Sequence, residues 1–334
     1  FSDIDIHFAR HLLAAADAPA DYRLYLAAAL TSHATISEKH VAFDLTSVTG
    51  SLADYFRDLT GYDPQTAASL RRLAAGIPVP SVKDWSETLR QSGMVGSPGA
   101  YAPLILDGKL LYLHRYWSYE RRLGNRMRQL MTARETTATV LPSERLLTLS
   151  PRFAAFAQAH PDDTDYQAAA VAAAVRNTFT VITGGPGTGK TTVVAAILAL
   201  LREQSPDLKI ALCAPTGKAQ ARLKQSIREE IEHLDCSSEL KAGITAIETF
   251  TIHRLLGVKY MTPHFRHDAI RPLDIDVLVI DEASMVPLTL MTKLLDAVPP
   301  AARVIMLGDK DQLASVETGA VLNDLCAATG IGTS

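Results

Sequence analysis

The stretch FTVITGGPGTGKTT, residues 179–192, decides how the second half of this chain folds. It opens with a short β-prone run, passes through a turn dense in glycine and ends where an apolar helix begins. Glycines let backbone N–H groups converge on an anion without Cβ atoms in the way, and the helix adds the positive end of its dipole. The pattern G-x-x-x-x-G-K-[ST] therefore predicts a loop that binds a nucleoside triphosphate.

Two side chains of this loop have separate predicted tasks. We expect Lys190 to reach the β and γ phosphates of ATP, and the Thr191 hydroxyl to ligate Mg²⁺. ATP and Mg²⁺ are thus the predicted cofactors. The nucleotide-binding residues predicted from the loop are Gly184, Gly185, Pro186, Gly187, Thr188, Gly189, Lys190, Thr191 and Thr192.

A second motif, VLVIDEAS at 277–284, supplies carboxylates. Four apolar residues indicate a buried strand, and Asp281 and Glu282 follow at its end. Adjacent carboxylates leaving a buried strand are costly unless a cation lies nearby. We therefore predict that Asp281 holds Mg²⁺ through water and that Glu282 orients and deprotonates the attacking water.

A third motif, VIMLGDKDQLASVETGAVLNDL at 304–325, repeats the layout of a strand followed by a polar turn. Gln312 lies just after this strand. Its uncharged amide can donate to a γ-phosphate and accept from water, so it is the predicted sensor of the terminal phosphate. Lys190, Asp281, Glu282 and Gln312 form the predicted catalytic set.

From Asp165 onward, predicted strands alternate with predicted helices. The candidate strands are 179–183, 209–214, 277–280 and 303–307, and each ends in a polar or glycine-containing turn. This alternation predicts an α/β fold with a parallel sheet, whose ligands lie at the carboxyl ends of the strands. We expect an N-terminal domain over 1–132, a connector with one or two short helices over 133–164 and the nucleotide-binding domain over 165–334.

The first 132 residues indicate a small α/β domain. Helical periodicity marks 8–16 and 24–32, and Asp107-Gly108 predicts a hairpin turn within 103–117. The basic segment 119–134 fits two interpretations, a solvated helix face or a docking surface for a partner subunit or DNA.

Composition excludes few functions. The net charge of −3 gives no overall attraction to nucleic acid, so any such binding requires local basic patches. The 3 cysteines form no CxxC pair, which argues against a zinc site or a disulfide framework and favours a reducing cytoplasm. The longest apolar run near the phosphate loop, 193–201, is far shorter than the roughly 18 residues that span a bilayer, and no secretory signal is visible.

Five stretches together resemble the superfamily 1 DNA helicases, most of all the RecD family, the alpha subunits of bacterial exodeoxyribonuclease V (RecBCD) complexes. They are GGPGTGKTT (184–192), APTGKAQARL (214–223), TIHRLLG (251–257), VLVIDEASM (277–285) and LGDKDQLASVETGAVL (307–322). The resemblance implies a RecA-like P-loop NTPase domain and a 5′ to 3′ DNA helicase subunit that acts in double-strand-break repair by homologous recombination. It also implies single-stranded DNA and RecB-like and RecC-like subunits as partners, no membrane, and a bacterial cytoplasmic location. The polarity is an inference from the family.

The same resemblance assigns further residues. Gln167 stands where such helicases place an adenine-reading glutamine. APTGKAQARL and TIHRLLG would line the single-strand path, which gives the predicted DNA-binding residues Thr216, Gly217, Lys218, Arg222, His253 and Arg254. From the residues alone, His253 and Arg254 fit either contact with the DNA backbone or a role in capping and packing, and packing is the favoured interpretation. The segment 257–272, where basic residues alternate with aromatics, fits either a base-stacking element or a flexible solvated loop.

Helicases of this type close two RecA-like domains on ATP, and we expect only the first of them within these 334 residues. The chain alone would then bind MgATP weakly and hydrolyse it poorly. Two alternatives stay open. One is a free-standing RecD-like helicase, and the other is a nucleotide-gated scaffold without motor activity.

Overall fold

The computed structural model describes residues 1–15, 21–48, 50–56, 63–132, 143–160, 162–312, 318–319 and 321–328. The chain forms two compact units. The first comprises Phe1–Arg121 with Thr318 and Gly319, and the second comprises the remaining described residues from Arg122 onward. None of the described helices is long and apolar enough to cross a membrane.

The first unit packs helices against a four-stranded sheet with strand order β1-β4-β3-β2. Buried Phe43 and Trp85 lie at the centre of its core, with their rings edge to face 5.9 Å apart. The Trp85 indole donates to the Arg23 carbonyl at 2.9 Å, so its polar atom is satisfied inside the core. The elements are α1 Asp3–Ala15, α2 Tyr22–Ile36, β1 Ala42–Asp44, α3 Leu52–Tyr55, α4 Pro64–Ala75, α5 Val82–Gln91, β2 Val95–Gly96, β3 Leu104–Asp107, β4 Leu110–Leu113 and α6 His114–Thr132.

The predicted helices and hairpin of this unit are confirmed, with different ends. Helices α1 and α2 contain the described parts of the predicted segments, and β3 pairs antiparallel with β4 across Gly108, whose φ is 63°. The strand run ends at Leu113 instead of continuing to Trp117. Trp117 lies on α6 and donates to Asp107 at 3.3 Å.

The basic segment forms most of α6, and its arginines make internal contacts. Arg122 pairs with Asp296, and Arg126 donates to the Leu295 carbonyl at 3.0 Å and to the Val298 carbonyl. The Leu295 carbonyl lies in the last turn of the helix Leu288–Asp296 (α14), and the Val298 carbonyl follows just beyond it. The last carbonyls of a helix have no N–H partner within the helix. Arg126 therefore caps that helix end.

The second unit contains a five-stranded sheet in the order β5-β9-β8-β6-β7, and all its pairs are parallel. Helix α10 is buried along most of its length, as expected for a helix that follows the first strand of a covered parallel sheet. The elements are α7 Ser143–Leu149, α8 Pro151–Ala159, α9 Tyr166–Arg176, β5 Phe179–Thr183, α10 Lys190–Gln204, β6 Ile210–Ala214, α11 Gly217–Glu232, α12 Ser238–Thr245, β7 Thr249–Thr251, α13 Ile252–Leu256, β8 Val277–Ile280, a 3₁₀ turn Ala283–Met285, α14 Leu288–Asp296, β9 Arg303–Gly308 and α15 Val321–Ala328.

The predicted α/β fold with a parallel sheet is confirmed, and each candidate strand matches an observed one within a residue. The sequence pattern missed β7, because its three residues are too few for a periodic signal. The two units divide at Arg121, ahead of the boundary at 132 that the sequence suggested. Helix α6 runs on through that point, and its Leu130 carbonyl accepts a bond from Thr178 at 2.6 Å.

The predicted connector also differs from the structure. Part of it, 133–142, lies outside the described residues. The remainder carries α7 and α8, and their Leu149 and Phe153 are fully buried in the core of the second unit. The sequence predicted one or two short helices in this connector, but not that they pack into the core of the second unit.

Candidate functional site

The strand order brings the three sequence motifs together. Strands β5, β9 and β8 are consecutive neighbours, so the phosphate loop, the turn after β9 and the carboxylates after β8 leave the same edge of the sheet. A cleft of about 400 Å³ lies there. It is lined by Arg152, Pro186, Gly187, Thr188, Gly189, Lys190, Thr191, Thr192, Ala219, Arg222, Leu223, Ser226, Glu230, Asp281, Glu282, Asp309 and Gln312.

The phosphate loop wraps around its own lysine. Gly187 and Gly189 have φ of 75° and 79°, a left-handed conformation that glycine adopts without strain. The Lys190 ammonium donates to the carbonyls of Gly184 at 2.6 Å and Gly185 at 2.9 Å. The Gly184 N–H in turn donates to the Gly308 carbonyl at 3.2 Å, which ties the loop to the end of β9. The loop is therefore a closed cradle with a cation at its centre.

Two glycines of the loop lie in close contact with neighbouring side chains. A Cβ at Gly184 would lie 2.7 Å from the Thr188 hydroxyl, and one at Gly189 would lie 2.5 Å from the Gln167 amide nitrogen. That same amide donates to the Thr188 carbonyl at 2.7 Å. Gln167 thus lies against the phosphate loop, held by a helix whose first turn is capped by Asp165.

Asp281 and Glu282 occupy the sharp turn that follows β8. The Asp281 N–H donates to the Cys213 carbonyl at 2.8 Å, which fixes the end of the strand beside β6. Glu282 has a φ of 51°, a conformation uncommon for residues other than glycine. Burial raises the pKa of Asp281, and the adjacent Glu282 charge adds to this. A backbone hydrogen bond from Glu282 and the cations Lys190 and Arg222 act in the opposite direction without cancelling the rise.

Gln312 is placed by contacts with both neighbouring motifs. The Ser284 hydroxyl donates to the Gln312 side-chain oxygen at 3.4 Å. The Gln312 N–H donates to the carbonyl of buried Asp309 at 3.3 Å. Gln312 therefore connects the turn after β9 to the turn that carries the carboxylates.

The donor set at this edge of the sheet fits MgATP. The described residues contain no cluster of three or more histidine, cysteine or acidic side chains able to hold a metal by themselves. Mg²⁺ commonly binds one or two protein oxygens and completes its shell with water and substrate phosphates. Thr191 and Asp281 both line the cleft and offer such a partial set.

Most of the predicted DNA-binding residues lie on the other half of the same sheet edge. Thr216 follows β6 and caps α11, with its hydroxyl accepting from the Ala219 N–H at 3.2 Å. Gly217 and Lys218 open that helix and are exposed. His253 and Arg254 are exposed on α13, directly after β7, which pairs with β6. Ends of neighbouring strands thus bring these residues near one another.

His253 and Arg254 also make local ring contacts. The His253 ring meets Phe265 edge to face at 5.8 Å, and the Arg254 guanidinium lies 5.8 Å from the Phe250 ring. The segment 257–272 forms a compact turn, closed by a bridge between Val258 and Phe265. Its tip exposes Tyr260.

From the sequence, Arg222 is predicted to contact DNA and not the nucleotide, whereas the structure places Arg222 on the cleft. Helix α11 presents Ala219, Arg222 and Glu230 among the lining residues, and Lys218 does not belong to that lining. Arg152 was missed altogether. It lies on α8 with its guanidinium 3.3 Å from where a Gly189 Cβ would be, and a single arginine in a segment without periodicity gave no signal.

Comparison with known proteins agrees with this architecture. Residues 1–112 match the family described as the RecBCD enzyme subunit RecD, N-terminal domain, and residues 167–318 match the AAA domain family. A chain from a solved structure titled for DNA unwinding at forked dsDNA by two coordinating Pif1 helicases aligns with 50% of this chain and 38% of its own. Its TM-score is 0.30 and its identity 23%, too low to compare the sites.

Curated relatives match over longer stretches. The RecBCD enzyme subunit RecD of Mycolicibacterium smegmatis is 40% identical over 98% of this chain and 52% of its own length. That of Mycobacterium tuberculosis is 39% identical over 96% and 50%. The ATP-dependent RecD2 DNA helicase of Deinococcus radiodurans is 43% identical over 44% and 18%. The chain spans about half the length of the RecD subunits it matches, and over that half it belongs to the RecD family.

Proposed function

We propose that this chain supplies the ATP-hydrolysing domain and part of the DNA path of a 5′ to 3′ helicase subunit in a RecBCD-type complex. Such a complex would act on double-strand breaks during homologous recombination in the bacterial cytoplasm. The observation that carries the proposal is the single cleft that joins Lys190, Asp281, Glu282 and Gln312, in a chain of the RecD family.

Each cleft residue has a task in this proposal. Lys190 leaves its loop carbonyls to contact the β and γ phosphates, as expected for an ammonium already centred in the loop. Thr191 and Asp281 would hold Mg²⁺, which neutralises charge on the phosphates when bound. Glu282 takes a proton from the attacking water. Gln312 responds to the terminal phosphate and transmits its presence to the carboxylate turn through Ser284.

Gln167 is proposed to read the adenine, and the loop residues Gly184 to Thr192 to bind the phosphates. The exposed Thr216, Gly217, Lys218, His253 and Arg254 would contact the backbone of single-stranded DNA. Their position over β6 and β7, beside the nucleotide half of the sheet edge, supports this division. The first unit is proposed to dock on RecB-like or RecC-like subunits, because the relatives matching it carry that complex in their names.

The first test is steady-state ATP hydrolysis by the full-length protein with and without single-stranded DNA. Glu282→Gln should lower the DNA-stimulated rate about 10²- to 10⁴-fold while nucleotide binding persists. Glu232→Gln, an exposed acid at the end of α11, serves as the matched control and should leave the rate unchanged. Wild-type protein without DNA-stimulated hydrolysis, despite nucleotide binding, would favour a scaffold.

Two finer points belong to the same proposal. Strand separation should require a 5′ rather than a 3′ single-stranded tail, and copurification with RecB-like and RecC-like subunits should depend on residues 1–112. Residues 1–334 expressed alone should hydrolyse ATP more slowly than the full-length protein, since the relatives are about twice as long. A free-standing helicase, suggested by the match to RecD2, would instead unwind DNA without partners.

A further inference from the structure

Helix α11 presents one face to the nucleotide cleft. Its lining residues are Ala219, Arg222, Leu223, Ser226 and Glu230, which follow one another at steps of one, three or four along the sequence. Steps of three and four keep side chains on the same side of a helix. The cleft face of α11 is therefore a continuous stripe, and Arg222 is its single cation.

Several arginines of the second unit are held by other residues of that unit, and Arg222 is not. Arg122, Arg126 and Arg145 all donate to carboxylates or carbonyls. Arg222 makes no hydrogen bond or ion pair with any residue in the described ranges, and its side chain is exposed. An unpaired guanidinium on a phosphate-binding cleft has its planar set of donors available for an anion.

The position of Arg222 along the cleft indicates which phosphate it would meet. Helix α11 follows β6, and the end of β6 meets the carboxylate turn after β8, because the Cys213 carbonyl accepts from the Asp281 N–H at 2.8 Å. Arg222 lines the cleft together with Lys190, Asp281 and Glu282. Arg152, in contrast, lies over Gly189 and Gln167, at the opposite end of the phosphate loop from Gly184. Arg222 belongs to the side of the cleft where Lys190 and the carboxylates would act on the terminal phosphate.

We propose that Arg222 contacts the γ-phosphate of the bound nucleotide from within this domain, so that the cleft distinguishes a nucleoside triphosphate from a diphosphate. This inference rests on the proposed ATPase function and refines it. It also assigns Arg222 to the nucleotide and leaves Lys218, four residues earlier on the same helix, to the DNA.

The test compares the affinity of the full-length protein for two magnesium complexes, ADP and a non-hydrolysable ATP analogue. Arg222→Gln should weaken the analogue roughly 10- to 100-fold, the usual loss of a hydrogen bond to a charged group, and leave ADP affinity unchanged. Arg222→Lys should recover part of the loss as a point charge. Arg228→Gln, an exposed arginine of the same helix outside the cleft, is the matched control and should bind both nucleotides as the wild type does.

Affinity for single-stranded DNA without nucleotide gives the second readout. Lys218→Gln should lower it, whereas Arg222→Gln should not. Equal losses for ADP and the analogue, no loss for either, or a loss of DNA affinity in Arg222→Gln would each overturn the inference while leaving the ATPase proposal intact. Wild-type protein that binds neither nucleotide would overturn both.

Discussion

Asp5 in the first unit and Asp281 in the second are both at least partly buried. The pKa of Asp5 is lowered from its ordinary value, and that of Asp281 is raised. Asp5 is fully buried. It accepts from the Ser2 N–H and hydroxyl at 2.9 Å, from the Ser32 hydroxyl at 2.7 Å and meets the His33 ring at 3.3 Å. Burial alone would raise the pKa of Asp5, but these hydrogen bonds outweigh it and lower the pKa.

For Asp281, burial is the dominant influence and raises the pKa. The difference lies in the partners. Asp5 has hydrogen bonds to both carboxylate oxygens, so its charge is fully stabilised by the fold and has no capacity left for a ligand. Asp281 has one backbone hydrogen bond, from Glu282, and the charges of Lys190 and Arg222 on the same cleft, so its charge is stabilised only in part. A carboxylate in a cleft whose charge is only partly stabilised is typical of a functional site. A carboxylate whose charge is fully stabilised by hydrogen bonds is typical of a structural role.

The largest expected effect is a difference in ATP hydrolysis between variants of the two aspartates. Asp281→Asn should lower ATP hydrolysis by the full-length protein about 10²-fold or more, because the carboxylate that we propose to hold Mg²⁺ loses its charge. Asp5→Asn should leave the rate per folded molecule unchanged. The measurement is DNA-stimulated hydrolysis, corrected for the folded fraction by circular dichroism. A comparable loss in Asp5→Asn would contradict the division into a functional and a structural carboxylate.

The effect on the free energy of unfolding should be larger for Asp5→Asn than for Asp281→Asn, the reverse of the effect on activity. Asp5→Asn should lower the free energy of unfolding of the first unit by about 2 to 3 kcal/mol, since bonds to a charged acceptor are replaced by weaker or unmatched ones. Asp281→Asn should leave the second unit equally stable or more so, because the cost of burying a charge disappears. Amide hydrogen exchange in α1 and α2, and in β8, reports each unit separately. Faster exchange in β8 of Asp281→Asn than in α1 of Asp5→Asn would reverse the comparison.

Two glycines of the phosphate loop allow a second comparison, because their backbone conformations are similar and the space around them differs. Gly187 and Gly189 both have positive φ, so alanine at either costs about 1 to 2 kcal/mol of strain. A Cβ at Gly187 has no atom within 4 Å, whereas one at Gly189 would lie 2.5 Å from Gln167. Gly189→Ala should therefore weaken nucleotide binding more than Gly187→Ala does, in a direct titration. Adding Gln167→Ala should recover part of the difference, and equal losses would show that crowding is unimportant.

Much of this could be predicted from the sequence because the signals are local. The phosphate loop, the strand before Asp281 and Asp281-Glu282 at its end depend on neighbouring residues, and the structure keeps the expected strands at 179–183 and 277–280. The order of strands is not local. That β9 lies between β5 and β8, and so brings Gln312 beside Ser284, follows from pairing between distant segments.

The position of Arg222 and Arg152 on the cleft depends on tertiary packing. Lys218 and Arg222 share a helical face by spacing, but of the two only Arg222 lines the cleft. Arg152 comes from the segment predicted as a connector with one or two short helices, where no motif pointed to the cleft. The pattern of one element cannot show which of its neighbours will lie across from it.

The smallest expected effect is a pH dependence of stability whose sign differs between the two aspartates. Asp5 has a lowered pKa in the folded state, so its contribution is present above its unfolded value near 3.8 and is lost as the pH falls through the folded value. Asp281 has a raised pKa, so the fold favours its protonated form. Its contribution is present below the unfolded value and is lost as the pH rises through the folded value.

Between pH 3 and 6, Asp5→Asn should flatten the loss of stability of the first unit on the acid side. Asp281→Asn should remove a small decline in the stability of the second unit with rising pH. Each change is bounded by about 1.4 kcal/mol per pH unit for one proton, and hydrogen exchange on either unit would show it. Slopes of the same sign in both variants would mean that the hydrogen bonds to Asp5 do not outweigh its burial.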